Sequence, residues 1–499
     1  MLLKQEKMKR IIYILGLLAV TLSACENWFD VQPKEELSSD ILYSTGNGYR
    51  MQLNGIYMTL SKADLYGQEL SWGFLDAVGQ YYSKSKMPQK YQDANDLLYG
   101  TSGVKSTIET IWNNMYHAIA DANNLIEHVV KEDSSRFELG DRERKLIHGE
   151  ALGLRAFMHL DLLRLFAPAP AANESGKWIP YVTSSESVTN TPLTVKETME
   201  RILADLDEAR RLVAVSDSME LNGDRDNWNF QARGSGLPKF FQARRVRMNM
   251  HAVMAIQARA YMYNGQKKEA HDLAKEILGE EPDEWGGPAW NSLYRFTDEW
   301  DLMGDIYNRD VKMYSDVVMG FANSKCADLY EPYLTLDRNL AIRNVNSLFQ
   351  DKEMTNDFRY VYLITDIEGG AEVSIKNIRG KLNSGGSQVA AFLLPIIRHT
   401  ELSYMMGEYL CETPGGLDKA IEILRMVQQA RGEYREIPIT NSAEYMNALL
   451  NEARREFIGE GQCFYMYKRL GLPLNDGVGN IDYGTKVYLP IPDSETVIL

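Results

Sequence analysis

The chain has 499 residues, 54 of them basic and 69 acidic, a formal charge of −15 and 44% apolar side chains. That acidic balance excludes a nucleic-acid surface as the working face, and only four cysteines exclude a disulfide framework as the source of stability. The apolar content is enough for a large core.

Residues 1–24 read as a removable leader. Lys4, Lys7, Lys9 and Arg10 precede an apolar run from Ile11 to Leu22. As a helix these twelve residues reach about 18 Å, against about 30 Å of hydrocarbon core, so the run is a secretory signal and not a span. It ends in Leu22-Ser23-Ala24-Cys25, a bacterial lipoprotein processing site. Cys25 is therefore expected to be the acylated N-terminus, with lipid holding the protein on an envelope surface. Cys326, Cys411 and Cys463 read as buried free thiols.

Helical periodicity dominates the remainder, residues 25–499, which read as one domain. Trp72, Tyr81 and Tyr82 come first and lie outside any periodic stretch. Degenerate helix pairs are expected within Ile108 to Val130 and Glu150 to Val213. Glu150 to Phe166 carries Leu152, Ala156, Leu160 and Leu163 at helical spacing and stops at Pro168 and Pro170. Thr194 and Glu197 form a capping box for a helix whose stripe is Met199, Ile202, Leu206, Ala209 and Val213. Asn222, Asp224 and Asp226 alternate oxygen donors, but Asn227 and Arg233 stand where an EF-hand needs Gly and Glu. A solvated turn is the reading there, and an irregular calcium site the alternative; no other cofactor is expected.

From Met254 to Pro282, Ala258, Tyr261, Gly265, Ala270, Ala274 and Ile277 follow the pattern of a tetratricopeptide unit, where small residues let two antiparallel helices touch and Gly opens the turn. A weaker copy places Tyr404, Glu408, Cys411, Gly415, Ala420, Leu424 and Val427 at equivalent offsets. Such pairs bury their apolar faces only by stacking. The predicted scaffold covers about 104–279 and 394–471, interrupted by an irregular lobe at about 280–393. Trp285, Trp290, Trp300 and Tyr330 fall in that lobe, and Gly369-Gly370 is placed to close a hairpin between Val361 to Glu368 and Ala371 to Ile378.

No catalytic constellation is found. The seven histidines stand singly with no metal-ligand spacing, and neither a nucleophile elbow nor a phosphate-cradling glycine loop is present. The acidic residues between Arg454 and Glu460 read as partners of nearby arginines. Stacking on pyranose C–H faces calls for flat aromatic rings beside polar groups. The aromatic residues outside periodic segments, Trp72, Tyr81, Tyr82, Trp285, Trp290, Trp300 and Tyr330, are the ligand-binding candidates.

Several segments converge on one family. Tyr116-x-x-Ile119-x-x-Ala122-Asn123, Glu150-Ala151-x-x-Leu154-Arg155-Ala156 and Ala258-Arg259-Ala260-Tyr261 are followed by Pro395-x-x-Arg398-x-x-Glu401, Gly407-Glu408 and Ala430-Arg431-Gly432. Arg454-Arg455-Glu456-Phe457-x-Gly459-Glu460-Gly461, Lys468-Arg469 and Leu489-Pro490-Ile491-Pro492-x-x-Glu495 complete the series. Taken in order, they resemble the SusD/RagB outer-membrane lipoproteins. Gln462-Cys463 departs from the family's Arg-aromatic pair, and Gly407 stands where Ala is typical. The resemblance implies an all-α-dominated fold of four tetratricopeptide-like pairs with an irregular lobe. It also implies a non-enzymatic lipoprotein on the outer surface of the outer membrane of Bacteroidota, binding an oligosaccharide or polysaccharide and passing it to a SusC-like, TonB-dependent transporter. A peptide or siderophore ligand, a helical lipoprotein hydrolase and a tetratricopeptide-like assembly scaffold are the competing readings.

Overall fold

The computed structural model describes residues 39–496 apart from 173–174, 187–189, 224–238, 242–243, 280–293, 351–354, 368, 381–389 and 437. Eight helices stack in chain order as four pairs: α1 (Gly46–Leu60) with α2 (Ser102–Lys131), α3 (Asp141–Phe166) with α4 (Val195–Gly223), α5 (Met250–Tyr263) with α6 (Lys267–Leu278), and α7 (His399–Glu412) with α8 (Leu417–Ala430). Each helix packs on its predecessor. The scaffold therefore begins with α1, upstream of the expected start. There Tyr49, Leu53, Ile56 and Leu60 form the buried stripe, and the Thr45 hydroxyl accepts from Gly48 N–H at 3.3 Å.

α3 lies at the centre of the stack, and every residue from Gly149 to Phe166 is buried. It starts nine residues before Glu150 because its first turn is polar, with Asp141 and Glu143 beside the positive helix end, and so carries no apolar rhythm. The capping box of α4 forms as the sequence predicts. Thr194 N–H donates to Glu197 Oε2 at 2.9 Å and Glu197 N–H donates to Thr194 Oγ1 at 3.2 Å. In the turns of the two tetratricopeptide-like pairs, Gly265 and Gly415 adopt φ of +80° and +74°, a region that an L side chain resists.

Between α6 and α7 the longest described helix has six residues, Phe358–Leu363. β3 (Val317–Ala322) pairs antiparallel with β6 (Leu393–Arg398), which runs directly into α7. β4 (Ile364–Ile367) and β5 (Ala371–Ser374) form the hairpin around Gly369-Gly370. Its first strand is shorter than expected because Asp357 caps the preceding helix, accepting from Arg359 N–H at 2.9 Å. The small pairs β1–β2 (Lys177–Ile179, Leu193–Thr194) and β7–β8 (Leu474–Asn475, Asn480–Ile481) complete an all-α-dominated fold. After α8, helices α9 (Ser442–Glu456) and α10 (Gln462–Leu470) fold back, α10 packing on the short helix Phe74–Val78. One continuous apolar cluster joins scaffold and lobe, running from Tyr43 to Leu489. Cys326, Cys411 and Cys463 are buried and unbridged.

Candidate ligand-binding surfaces

Of the seven aromatic candidates, four are core. Trp72, Tyr81, Tyr82 and Tyr330 are each 1% exposed. The Trp72 indole donates to the Gly67 carbonyl at 3.0 Å, and its ring meets Tyr330 edge-on at 4.9 Å and Tyr333 at 5.2 Å. Tyr82 Oη donates to Trp72 O at 2.7 Å, Tyr81 Oη to Arg454 O at 2.8 Å and Tyr330 Oη to Ser374 O at 2.6 Å. These polar tips are satisfied by backbone carbonyls, so the rings close the seam between irregular segments and offer no face to a ligand. Trp285, Trp290 and Cys25 lie outside the described residues, as do Asp224, Asp226, Asn227 and Arg233 of the alternating acidic string. Trp300 is 81% exposed.

The buried tyrosines nevertheless position a cleft of about 500 Å³. Tyr82 bridges to Ile342, Ser83 N–H donates to Ala341 O at 2.8 Å, and Arg343 N–H donates to Tyr81 O at 2.8 Å. This short pairing sets Gln80 and Lys84 on one wall beside Arg343, with Asn95, Asp96 and Leu97 adjoining and Asp482, Tyr483 and Lys486 opposite. Gln80 and Leu97 hold φ of +67° and +54°, a costly geometry for residues other than glycine. It persists because the Gln80 and Asn95 amides lock together: Gln80 Nε2 donates to Asn95 O at 2.7 Å, and Asn95 Nδ2 donates to Gln80 Oε1 at 3.0 Å. The volume is that of a small-molecule site. Its lining combines one aromatic ring, Tyr483, with the carboxylates of Asp96 and Asp482, the cations of Lys84, Arg343 and Lys486, and the apolar Leu97 and Ile481. Aromatic and polar groups of this kind hold a polyhydroxylated ligand. Sequence reasoning pointed to this neighbourhood through the adjacent tyrosines but missed the lining residues, whose only advance signal was polarity in a non-periodic stretch.

Trp300 marks a second surface. It sits on the short helix Glu299–Leu302, which Asp298 caps by accepting Asp301 N–H at 3.2 Å. Tyr362 Oη donates to Glu299 at 2.7 Å, which pushes the phenol up from its ordinary value. Arg309 Nη1 donates to Tyr362 O at 2.8 Å, and Phe358 lies 6.0 Å from Tyr362, ring to ring. An exposed indole on the helix whose Glu299 holds the Tyr362 phenol offers an apolar face with polar neighbours close by in the chain.

The acidic residues of the C-terminal motifs have a different role. Glu456 meets Arg398 and Arg431 (2.8 Å), and Arg359 also reaches it at 2.8 Å; Arg431 and Arg398 also face Asp316, and Glu460 pairs with Lys376 and Arg398. Burial pushes the Glu456 carboxyl up, and the guanidinium groups of Arg398, Arg431 and Arg359 outweigh it, holding it well below the usual range. These carboxylates are counter-ions of buried arginines, as the sequence suggested. Among the described residues no group of three or more His, Cys, Asp or Glu side chains is placed to hold a metal ion, and no helix is long and apolar enough to cross a membrane.

Comparison with known proteins agrees with this architecture. Residues 28–222 match the profile of a SusD-like family described as starch-binding and associating with the outer membrane. A SusD-like protein of Formosa agariphila is 22% identical over 489 residues, covering 92% of this chain and 90% of its own length. Among solved structures, a SusD superfamily protein of Bacteroides vulgatus superposes with a TM-score of 0.68 at 18% identity, covering 91% of this chain and 97% of that one. A SusD-like carbohydrate-binding protein of the same organism gives 0.64 at 17% identity, with 91% and 96% covered. A laminarin-binding SusD-like protein gives 0.62 at 16%, with 91% and 97% covered. The helix-pair stack is thus the fold of solved SusD-like proteins, and residues 28–222 are similar in sequence to the SusD-like family.

Proposed function

We propose that this protein is a non-enzymatic glycan-capture lipoprotein, anchored through Cys25 in the outer membrane with its bulk facing the cell exterior. It delivers oligosaccharide or polysaccharide to a SusC-like, TonB-dependent transporter. The observation that carries the reading is the 500 Å³ cleft, whose polar lining and Tyr483 ring suit a ligand dense in hydroxyl groups. Trp300 supplies a second stacking surface for a longer chain. The family resemblance adds weight, since a similar protein of the same fold binds laminarin.

The test is retention of the soluble form, lacking residues 1–25, in native gels cast with plant, host and microbial polysaccharides. One polysaccharide should retard it, and Tyr483→Ala or Trp300→Ala should abolish the retardation. Migration unchanged by every polysaccharide, or retardation indifferent to both substitutions, overturns the glycan assignment and directs the search to peptides. The transporter role is tested separately, by copurification of a TonB-dependent barrel and by loss of glycan uptake in a deletion strain.

A further inference from the structure

A second concavity lies on the helix-pair scaffold, on elements other than those that line the glycan cleft. A groove of about 780 Å³ runs between the start of α4, the α5–α6 turn and the end of α10. Met262, Tyr263 and Arg469 line it and also line a smaller pocket of about 70 Å³ beneath. That inner volume has room for several water molecules or one compact polar group.

The inner pocket is lined by Arg164, Arg259 and Arg469, the carboxylates Glu401 and Glu408, and tyrosine hydroxyls, and several of its donors are left over. Arg259 uses Nε and Nη2 on Glu401 (2.7 and 2.6 Å), leaving Nη1 buried without a hydrogen-bond partner in the protein. The hydroxyls of Tyr263 and Tyr465 are likewise buried and unpartnered. The three residues are 3–4% exposed. Arg164, Arg259, Tyr263 and Tyr465 line the same pocket, with the Arg164 guanidinium 3.7 Å from the centre of the Tyr465 ring. Arg164 is spent on Asp161 through Nε and Nη2, while its Nη1 makes only a 3.4 Å contact with Gln462. Buried donors in folded proteins are almost always satisfied, so a convergent set left over calls for an acceptor from outside the chain.

Charge selects the class of acceptor. The neighbouring carboxylates are already neutralised, Glu401 by Arg259 and Glu408 by Arg469 and Lys267. On the rim, Lys196 has an 86% exposed side chain and lies 4.0 Å from Glu200. A cationic mouth above a donor-lined pocket attracts anions and offers them hydrogen bonds at the bottom. We propose that the groove and its inner pocket form a second binding site, for a small carboxylate-bearing ligand whose carboxylate sits on Tyr263, Tyr465 and Arg259 Nη1. Uronic acids and amino-acid or peptide termini share this chemistry.

The test is calorimetric titration of the purified full-length chain with glucuronate, with N-acetylglycine, and with glucose as the neutral control. Saturable binding of at least one carboxylate and none of glucose is expected. Tyr263→Phe with Tyr465→Phe, which removes two oxygens and preserves the packing, should weaken binding about tenfold or more. Lys196→Ala, on the exposed rim, should weaken it less. Preference between the two carboxylates identifies the source. Silence with both, or binding unaffected by the double phenylalanine variant, means that water alone fills the pocket and the proposal fails.

Discussion

Gly407 lies in α7 where a Cβ would fall 1.9 Å from the Tyr445 hydroxyl of α9, closer than atoms can approach. The absence of a side chain is what lets α9 seat its tyrosine against the repeat. Gly407→Ala is expected to lower stability by about 1–3 kcal/mol through overpacking, offsetting any gain in helix propensity. Tyr445→Phe in the same chain should restore most of the loss, and a double-mutant cycle in urea would read the coupling. His159 is the other informative single residue. Its Nε2 accepts from Val182 N–H at 3.0 Å and its Nδ1 lies 2.9 Å from the Arg155 carbonyl, so the ring is fixed neutral. Burial drives its pKa down to about 3. A proton that the unfolded chain takes up below about pH 6.5 is thus refused by the folded one, and stability is lost as pH falls from that value toward 3. His159→Gln should narrow the difference in unfolding midpoint between pH 7 and pH 5.

At the scale of elements, the α4 capping box and the α5–α6 and α7–α8 turns are where sequence signals were strongest. Thr194→Ala removes one arm of the reciprocal cap and should cost about 1 kcal/mol, seen as a lower thermal midpoint with unchanged helix content at 20 °C. These elements were legible because their cues are local: a hydroxyl three residues before a carboxylate, a glycine between two apolar stripes, a Gly-Gly pair between short β-prone runs. The start of α3 was not legible, since its first turn is stabilised by charge and tertiary packing. Four of the seven aromatic candidates are core for a related reason. Lack of periodicity distinguishes a loop from a helix but not an exposed loop from a buried one, and Trp72, Tyr81, Tyr82 and Tyr330 are buried where two irregular segments meet. Among the described candidates only Trp300 combines the right residue type with exposure. The cleft beside Gln80 and Tyr483 joins positions about four hundred apart in the chain, a closeness that no local pattern encodes.

For the whole molecule, His148, His251 and His399 join His159 in being held well below their ordinary pKa by burial, each at about 4. Their contributions share one sign: present above about pH 6.5 and lost as pH drops through the window down to 4. Asp76, pushed up to about 7 by burial, works in the opposite sense between pH 4 and 7, as do Glu69, Asp121 and Asp217, also raised by burial, whereas Glu452 and Glu456, held low by arginines, side with the histidines. The net expectation is a steep acid limb, with the urea midpoint lower at pH 5 than at pH 7. A flat profile over that range would show that these histidines open to solvent in the native state.

The buried arginine cluster has a mechanical consequence. Asp316, Arg359 and Lys376 come from the irregular lobe, Arg398 from the strand that feeds α7, Arg431 from the end of α8, and Glu456 and Glu460 from the end of α9 and beyond. Shearing the lobe away from the helices would strand several charges in a dry interior, at several kcal/mol each. The connection is therefore a weld and not a hinge. If the molecule swings over a transporter, it swings whole, pivoting on whatever tethers it to the membrane, and the amides of β3 and β6 should exchange with deuterium only through global unfolding.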